Sequence, residues 1–429
     1  MPLIYRILHG ILLWIARLIG LFTLFFLLQY STIPLGSEWS RATLLTRNHL
    51  FDYITWEANA ILAKLGQTLT GVQPFMSEAE RSQYVRTYMA DLSQAQALEN
   101  QITLMYADAT IEDAAHVTAS LRAERDALRM DLRSRQTLAE AILEGQVASV
   151  LVDLGFQTAG QLIPPISMRF SEMPNVLIIS PRESIQFEMS LNLYPMPVDD
   201  QIALEEQIDE ALDVSSLIAP LGGIALYPAM IIETTSIQYA LETFAHEWVH
   251  HYLFMYPLGL NYDFDSETRI INETTASIFG RAVGRLVMIR YYPDLLPPEP
   301  MPTPTTDANA PPMPTPTQDP EVFDFGREMN ETRVTVDAML TAGEVEEAEA
   351  YMEARRQLFV ENGFLIRKLN QAYFAFYGGY QSGVVSGVGG TDPIGSALEM
   401  LLANSDSLYT WIEQLRGITT REELLRLVP

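Results

Sequence analysis

Two stretches decide how this chain folds. The first is Ala245-His246-Glu247-Trp248-Val249-His250-His251; the second is Asn272-Glu273-Thr274-Thr275-Ala276, whose glutamate follows His250 by 23 residues. Only six histidines occur in the chain, and three of them lie in the first stretch. His246 and His250 are four apart, so on a helix they share a face and both imidazoles reach one ion. Glu247 sits beside the first of them, where its carboxylate can take a proton from an attacking water. Chance supplies such a His-Glu-x-x-His pattern only about 0.01 times in a chain of this composition. A catalytic zinc wants a third protein ligand and keeps its fourth position open. No histidine follows His251, so a carboxylate must serve. Glu273, on the next predicted helix, is the first choice, and Glu267, nearer that helix's start, is the second.

The surroundings give these stretches a scaffold. Residues 234–256 and 265–292 read as helices, with apolar flanks suited to a buried active-site helix. Just upstream, residues 214–232 carry no charge across 19 positions. Pro220, Gly222, Gly223 and Pro228 interrupt that run, which favours two short buried strands around a turn over a membrane span. Residues 176–179 and 185–193 also read as strands. Further upstream, 77–108 and 111–154 read as long helices, the first opened by the capping signature Ser77-Glu78-Ala79-Glu80. Leu121, Leu128, Leu132, Leu138 and Ile142 sketch a coiled-coil-like seam between them. Such a hairpin is read as scaffold in preference to a partner-binding arm, and no partner for it is identified.

Downstream, residues 293–320 hold 11 prolines in 28 positions, an extended linker or insert without a core of its own. Residues 321–377 return to helical patterning, 378–395 are glycine-rich, and 396–429 read as one or two final helices. The expected organisation is therefore an N-terminal segment 1–35, a helical hairpin region 36–160, a core 161–292, the proline-rich 293–320 and a C-terminal helical part 321–429. The fold class is α+β, mostly helical with a small sheet beside the zinc helix.

Composition narrows the function. In 429 residues, 54 acids against 27 bases leave a net charge of -27, which argues against a nucleic-acid partner. Apolar residues make up 48%, enough to fill a core. There is no cysteine, which excludes disulfides, thiolate metal ligands and a cysteine nucleophile. Residues 3–28 are dominated by Leu, Ile, Phe and Trp, interrupted by Arg6, His9 and Arg17. Residues 7–28 would span about 33 Å as a helix, the thickness of a hydrocarbon core. With no small-residue cleavage site following, this predicts an uncleaved single-pass anchor in the cell membrane. Arg6 and the amino terminus favour an inside N-terminus, leaving the catalytic region outside the cytoplasm.

These motifs resemble the gluzincins, zinc metallopeptidases that carry His-Glu-x-x-His on one helix and a glutamate on the next. Asn272-Glu273-x-x-Ala276 is similar to the form many of them show around the third ligand. The resemblance implies one Zn2+ per chain held by His246, His250 and Glu273, Glu247 as general base, and a peptide or protein substrate. A looser likeness, from Asn370-Gln371-Ala372 through Tyr380-Gln381-Ser382-Gly383-Val384, is to bacterial predicted aminopeptidases; here Gln371 replaces their second asparagine and the glycine-rich turn is longer. That likeness implies Tyr380, or next Tyr377, as oxyanion donor, and Asn370 near the substrate. It also implies an acid that grips the substrate amine, for which Glu233 is the candidate, at the end of an edge strand within 223–232. The expected activity is a membrane-anchored peptidase, an aminopeptidase before an endopeptidase. An intramembrane protease fits poorly, because charged Glu233, Glu242 and Asp263 surround the motif. The alternative from another class is a non-catalytic membrane scaffold with a structural or degenerate zinc site.

Overall fold

The computed structural model describes residues 2–28, 36–108, 110–296, 323–382 and 387–428. These are mostly helical with small sheets, in keeping with the α+β class. They divide into two units, Met1–Asn48 and His49–Pro429. The first holds α1 (Pro2–Leu28) and α2 (Glu38–Thr46), the latter capped by the Ser37 side chain. Residues 11–24 of α1 are exposed, and most are apolar. The side chains of 2–9 and 25–28 lie outside the described set, as do residues 29–35. Among the described residues no helix is long and apolar enough to cross a membrane, so the fold lends the expected anchor no support.

The second unit opens with α3 (Tyr53–Thr70), α4 (Glu78–Ala107), α5 (Ala114–Val117) and α6 (Ala119–Asp153). The expected capping box forms at Ser77 and Glu80, and α4 packs along α6 as a hairpin. The second helix starts later than its pattern predicts, because Asp113 caps the single turn α5 before the continuous helix begins. Of the predicted seam, Leu132 and Ile142 are buried, while Leu121, Leu128 and Leu138 are only half-buried. Burial thickens from Ala139 onward, where α6 joins the main core. The hairpin is thus a wall of that core at its base.

Three small sheets follow. β1 (Gln157–Thr158) and β2 (Gln161–Leu162) pair as a short ribbon. β3 (Met168–Ser171), β4 (Asn175–Pro181) and β5 (Met189–Leu193) precede α7 (Val198–Leu212). β5 begins four residues later than expected, because the Ser180 hydroxyl first closes a turn by accepting from the Gln186 amide. The uncharged stretch then folds as β6 (Val214–Pro220), β7 (Gly223–Ile224) and β8 (Ala229–Ile232), strands as expected but three in number. One sheet runs β5-β4-β6, all antiparallel; the other runs β3-β8-β7, with β3 parallel and β7 antiparallel to β8. β7 is therefore an outer strand.

The remaining elements are helices: α8 (Ile237–Leu253), α9 (Pro257–Leu260), α10 (Ser266–Tyr291), α11 (Phe325–Thr341), α12 (Val345–Glu361), α13 (Gln371–Tyr377), α14 (Ile394–Ala403), α15 (Leu408–Leu415) and α16 (Arg421–Leu427). The tail makes three helices instead of one or two, since Ser407 and Thr420 each cap a new start. Most of the proline-rich stretch, from residue 297 on, lies outside the described residues. α8 and α10 form the centre of the main core with α4, α6, α14 and α15. Trp248, Phe279 and Trp411 are fully buried there, each worth roughly 1.5–3 kcal/mol of burial. A Cβ on Gly280 of α10 would lie 2.5 Å from the Glu242 carbonyl and 3.1 Å from the His246 Cβ. The missing side chain lets α10 press against the histidine-bearing face of α8.

Candidate metal centre

α8 begins where Ser236 accepts a hydrogen bond from the Tyr239 amide. Ile237, Ala240, Leu241, Phe244, Ala245, Trp248, Val249 and Tyr252 recur at helical spacing and are all buried. His246 and His250 lie at the margin of that stripe, one turn apart. After Leu253 the chain reverses through α9, and Asp265 caps α10 by accepting from the Thr268 amide at 2.8 Å. The return carries Glu273 back to the histidines.

His246 Nε2 and His250 Nε2 stand 3.1 Å apart. Glu273 Oε2 lies 3.4 Å from the first and 3.7 Å from the second. His246, His250 and Glu273 therefore form a group able to hold a metal ion. Two observations fit an ion there. Glu273 Oε2 is buried yet accepts no hydrogen bond. The donor set, two imidazoles and one carboxylate, is the kind that leaves a catalytic zinc an open position. His250 Nδ1 lies 2.7 Å from Asn272 Oδ1, while Asn272 Nδ2 donates to the Leu258 carbonyl at 3.0 Å. That chain orients the amide, places the proton on Nδ1 and leaves the Nε2 lone pair facing the group. Tyr262 donates its hydroxyl proton to Glu273 Oε1.

Burial and charge set the ionisation. Burial pulls His250 down to about 4, keeping the ring neutral. Burial also acts to lower His246, but the facing Glu273 carboxylate outweighs it and raises its pKa. Burial alone would raise Glu273; the two imidazoles and then Arg269 bring it well below the usual carboxylate range. Glu247, buried and near the Glu273 charge, is pushed up to about 7, with His246 opposing. Its carboxyl lies flat against β7: a Cβ on Gly223 would meet Glu247 Oε1 at 2.3 Å. A glycine is needed for that approach.

A cleft of about 980 Å³ opens over the group, lined by His246, Glu247, His250, Glu273, Tyr380, the outer strand β7 and Ala225 just after it. The predicted ligand ambiguity is resolved by position. Glu267 accepts from the Arg421 amide at the start of α10, away from the histidines. Tyr380 reaches the cleft because Thr274, next to Glu273, donates to the Gly379 carbonyl and accepts from the Gln381 amide. Burial, and then the Glu273 charge, raise the Tyr380 pKa, so its phenol stays protonated. Tyr377 packs against Tyr373 and Phe376 and, though not among the residues lining that cleft, borders an adjoining cavity that His246, Glu247 and Tyr380 also line.

Two predicted substrate residues are not brought to the cleft. Glu233 pairs with Arg129 of α6. Asn370 is buried as the cap of α13, accepting from the Tyr373 amide and donating to the Ser216 carbonyl. Tyr262 and Arg269 were not singled out by their sequence context, since neither belongs to a local motif. No family model, curated protein or solved structure matches this chain.

Proposed function

We propose that the chain is a zinc metallopeptidase, with His246, His250 and Glu273 as the ligands and peptide-bond hydrolysis as the reaction. The observation that carries this reading is the convergence of two imidazole nitrogens and an orphaned carboxylate oxygen, with a second carboxyl beside them in the same cleft. Zinc held there would supply Lewis-acid polarisation of the scissile carbonyl and make water a stronger acid. Glu247, with a pKa of about 7, is matched to accept a proton from the attacking water and to return it to the leaving nitrogen. The Tyr380 hydroxyl donates a hydrogen bond to the oxyanion of the tetrahedral intermediate. The free edge of β7 pairs with an extended substrate, and the apolar walls of the cleft receive its side chains.

The preference for an aminopeptidase stays part of the proposal, without Glu233 as the acid that grips a substrate amine, since that carboxylate pairs with Arg129. The membrane anchor belongs to the proposal as well, resting on the apolar composition of residues 3–28. Extraction of the full chain from membranes by carbonate would speak against it.

The test is elemental analysis of the purified protein, with peptide hydrolysis assayed in parallel. About one zinc per chain is expected in the wild type, lost in Glu273→Ala. Glu247→Gln should keep the metal without turnover. A folded wild type that takes up no zinc would overturn the reading. Zinc retained without turnover on any peptide would instead favour the scaffold with a structural metal.

A further inference from the structure

Arg269 precedes Glu273 by one helical turn and lines the same cleft. Among the described residues lining that cleft it is the one arginine or lysine. Its guanidinium carbon stands 3.6 Å from the Phe187 ring centroid and 4.7 Å from that of Tyr262. Two aromatic rings thus hold a flexible side chain in one place. It also borders a smaller cavity of about 240 Å³ that Glu273 shares.

What the guanidinium lacks is an anion bonded to it: it feels the Glu273 charge without pairing with that carboxylate. Among the described residues it makes no ion pair or hydrogen bond. The other arginines of the smaller cavity differ: Arg421 pairs with Asp392 at 3.0 Å and Arg333 with Asp337 at 2.8 Å. Glu273 is close, but its Oε1 takes the Tyr262 proton and its Oε2 faces the imidazoles. In a chain with twice as many acids as bases, an unpaired arginine on a cleft wall stands out. A planar guanidinium is the side chain best matched to a carboxylate, through two parallel hydrogen bonds.

We propose that Arg269 binds a carboxylate of the substrate, so that the preferred peptides carry one close to the scissile bond. One turn of helix rises about 5.4 Å, roughly the reach of two extended residues, which places the carboxylate within about two residues of the cut. The carboxylate is either a free C-terminus or an Asp or Glu side chain. This inference rests on the metallopeptidase reading for the position of the scissile bond, but the binding of the carboxylate is measurable without turnover.

Three dansylated tripeptides serve as probes, titrated by fluorescence against full-length Glu247→Gln protein: dansyl-Gly-Phe-Leu, its C-terminal amide, and dansyl-Gly-Phe-Glu-amide. The free acid is expected to bind at least about tenfold more tightly than its amide. In Glu247→Gln/Arg269→Gln the difference should vanish with zinc content unchanged, and Arg269→Lys should restore part of it. Arg285→Gln, which removes an exposed charge from α10 away from this cleft, should leave the difference intact. If the glutamate amide matches the free acid, the carboxylate can come from a side chain; if it binds like the plain amide, the C-terminus is required. Equal binding of all three probes overturns the proposal, as does loss of the preference in Arg285→Gln but not in Arg269→Gln. A guanidinium that merely braces Tyr262 would weaken acid and amide alike when removed. Acid-selective binding by a protein that cuts none of the unblocked peptides would leave Arg269 as assigned and sink the peptidase reading instead.

Discussion

Glu247 is a carboxyl held at about 7 in place of its ordinary 4.5, chiefly by burial. A raised carboxyl pKa means the folded chain binds that proton more tightly than the unfolded chain does. The resulting cost is absent below pH 4.5, grows as pH rises toward 7, and is constant above that. Metal-free wild type should therefore lose stability relative to metal-free Glu247→Gln across that window, by roughly 3 kcal/mol at most. Urea midpoints of both proteins between pH 4.5 and 8 would show it, and a gap independent of pH would refute it. Tyr262 offers a second test. Its hydroxyl holds one oxygen of Glu273, so Tyr262→Phe should weaken zinc binding about 10- to 100-fold without unfolding the chain. A competitive chelator titration measures this directly; unchanged affinity would reduce Tyr262 to packing.

Between elements, the centre depends on two glycines. The approach of α10 to α8 requires Gly280, because an added methyl would strike the Glu242 carbonyl at 2.5 Å. Gly280→Ala should cost about 1–3 kcal/mol and lower zinc occupancy, since Glu273 moves away with its helix. Gly223→Ala acts on a different link. Its methyl collides with the Glu247 carboxyl, whereas the ligands on α8 and α10 are untouched. The expected result is full zinc content with hydrolysis reduced by two or more orders of magnitude. Loss of metal in Gly223→Ala would mean that β7 supports the ligands as well as Glu247.

Across the fold, the C-terminal part is fastened to the sheet by a buried carboxylate. Glu205 of α7 accepts from the Ile218 amide at 2.6 Å and from Arg367 at 2.6 and 2.8 Å, with Lys368 at 3.5 Å. Its side chain is almost fully buried. This contact and the Asn370 cap set the start of α13, whose end delivers Tyr380. Arg367→Met would leave Glu205 short of its main partner, at a cost of about 3 kcal/mol, discounted because Arg367 is itself partly exposed. The melting temperature should fall while zinc content holds, because the ligands lie on α8 and α10. A parallel loss of zinc would show that the two halves of the fold are coupled more tightly than these contacts imply.

Local chemistry made much of this protein legible in its sequence. Two histidines four apart dictate a shared helical face, Ser77 and Glu80 dictate a capped start, and an uncharged run broken by Pro and Gly dictates short buried strands. Each of these follows from neighbours within a few residues. The preference for Glu273 over Glu267 was also legible, from its motif and its place along the helix, but what brings Glu273 to the histidines and leaves Glu267 half exposed is the crossing of α10 with α8, which no local pattern encodes. The same holds for Glu233 and Asn370, whose partners Arg129 and Ser216 are more than 100 residues away. Tyr262, Arg269 and Gly280 acquire their roles solely from what packs against them. Residue pattern sets which elements form and which groups can bind an ion; the close approach of two helices and one strand decides which of those groups share a cleft.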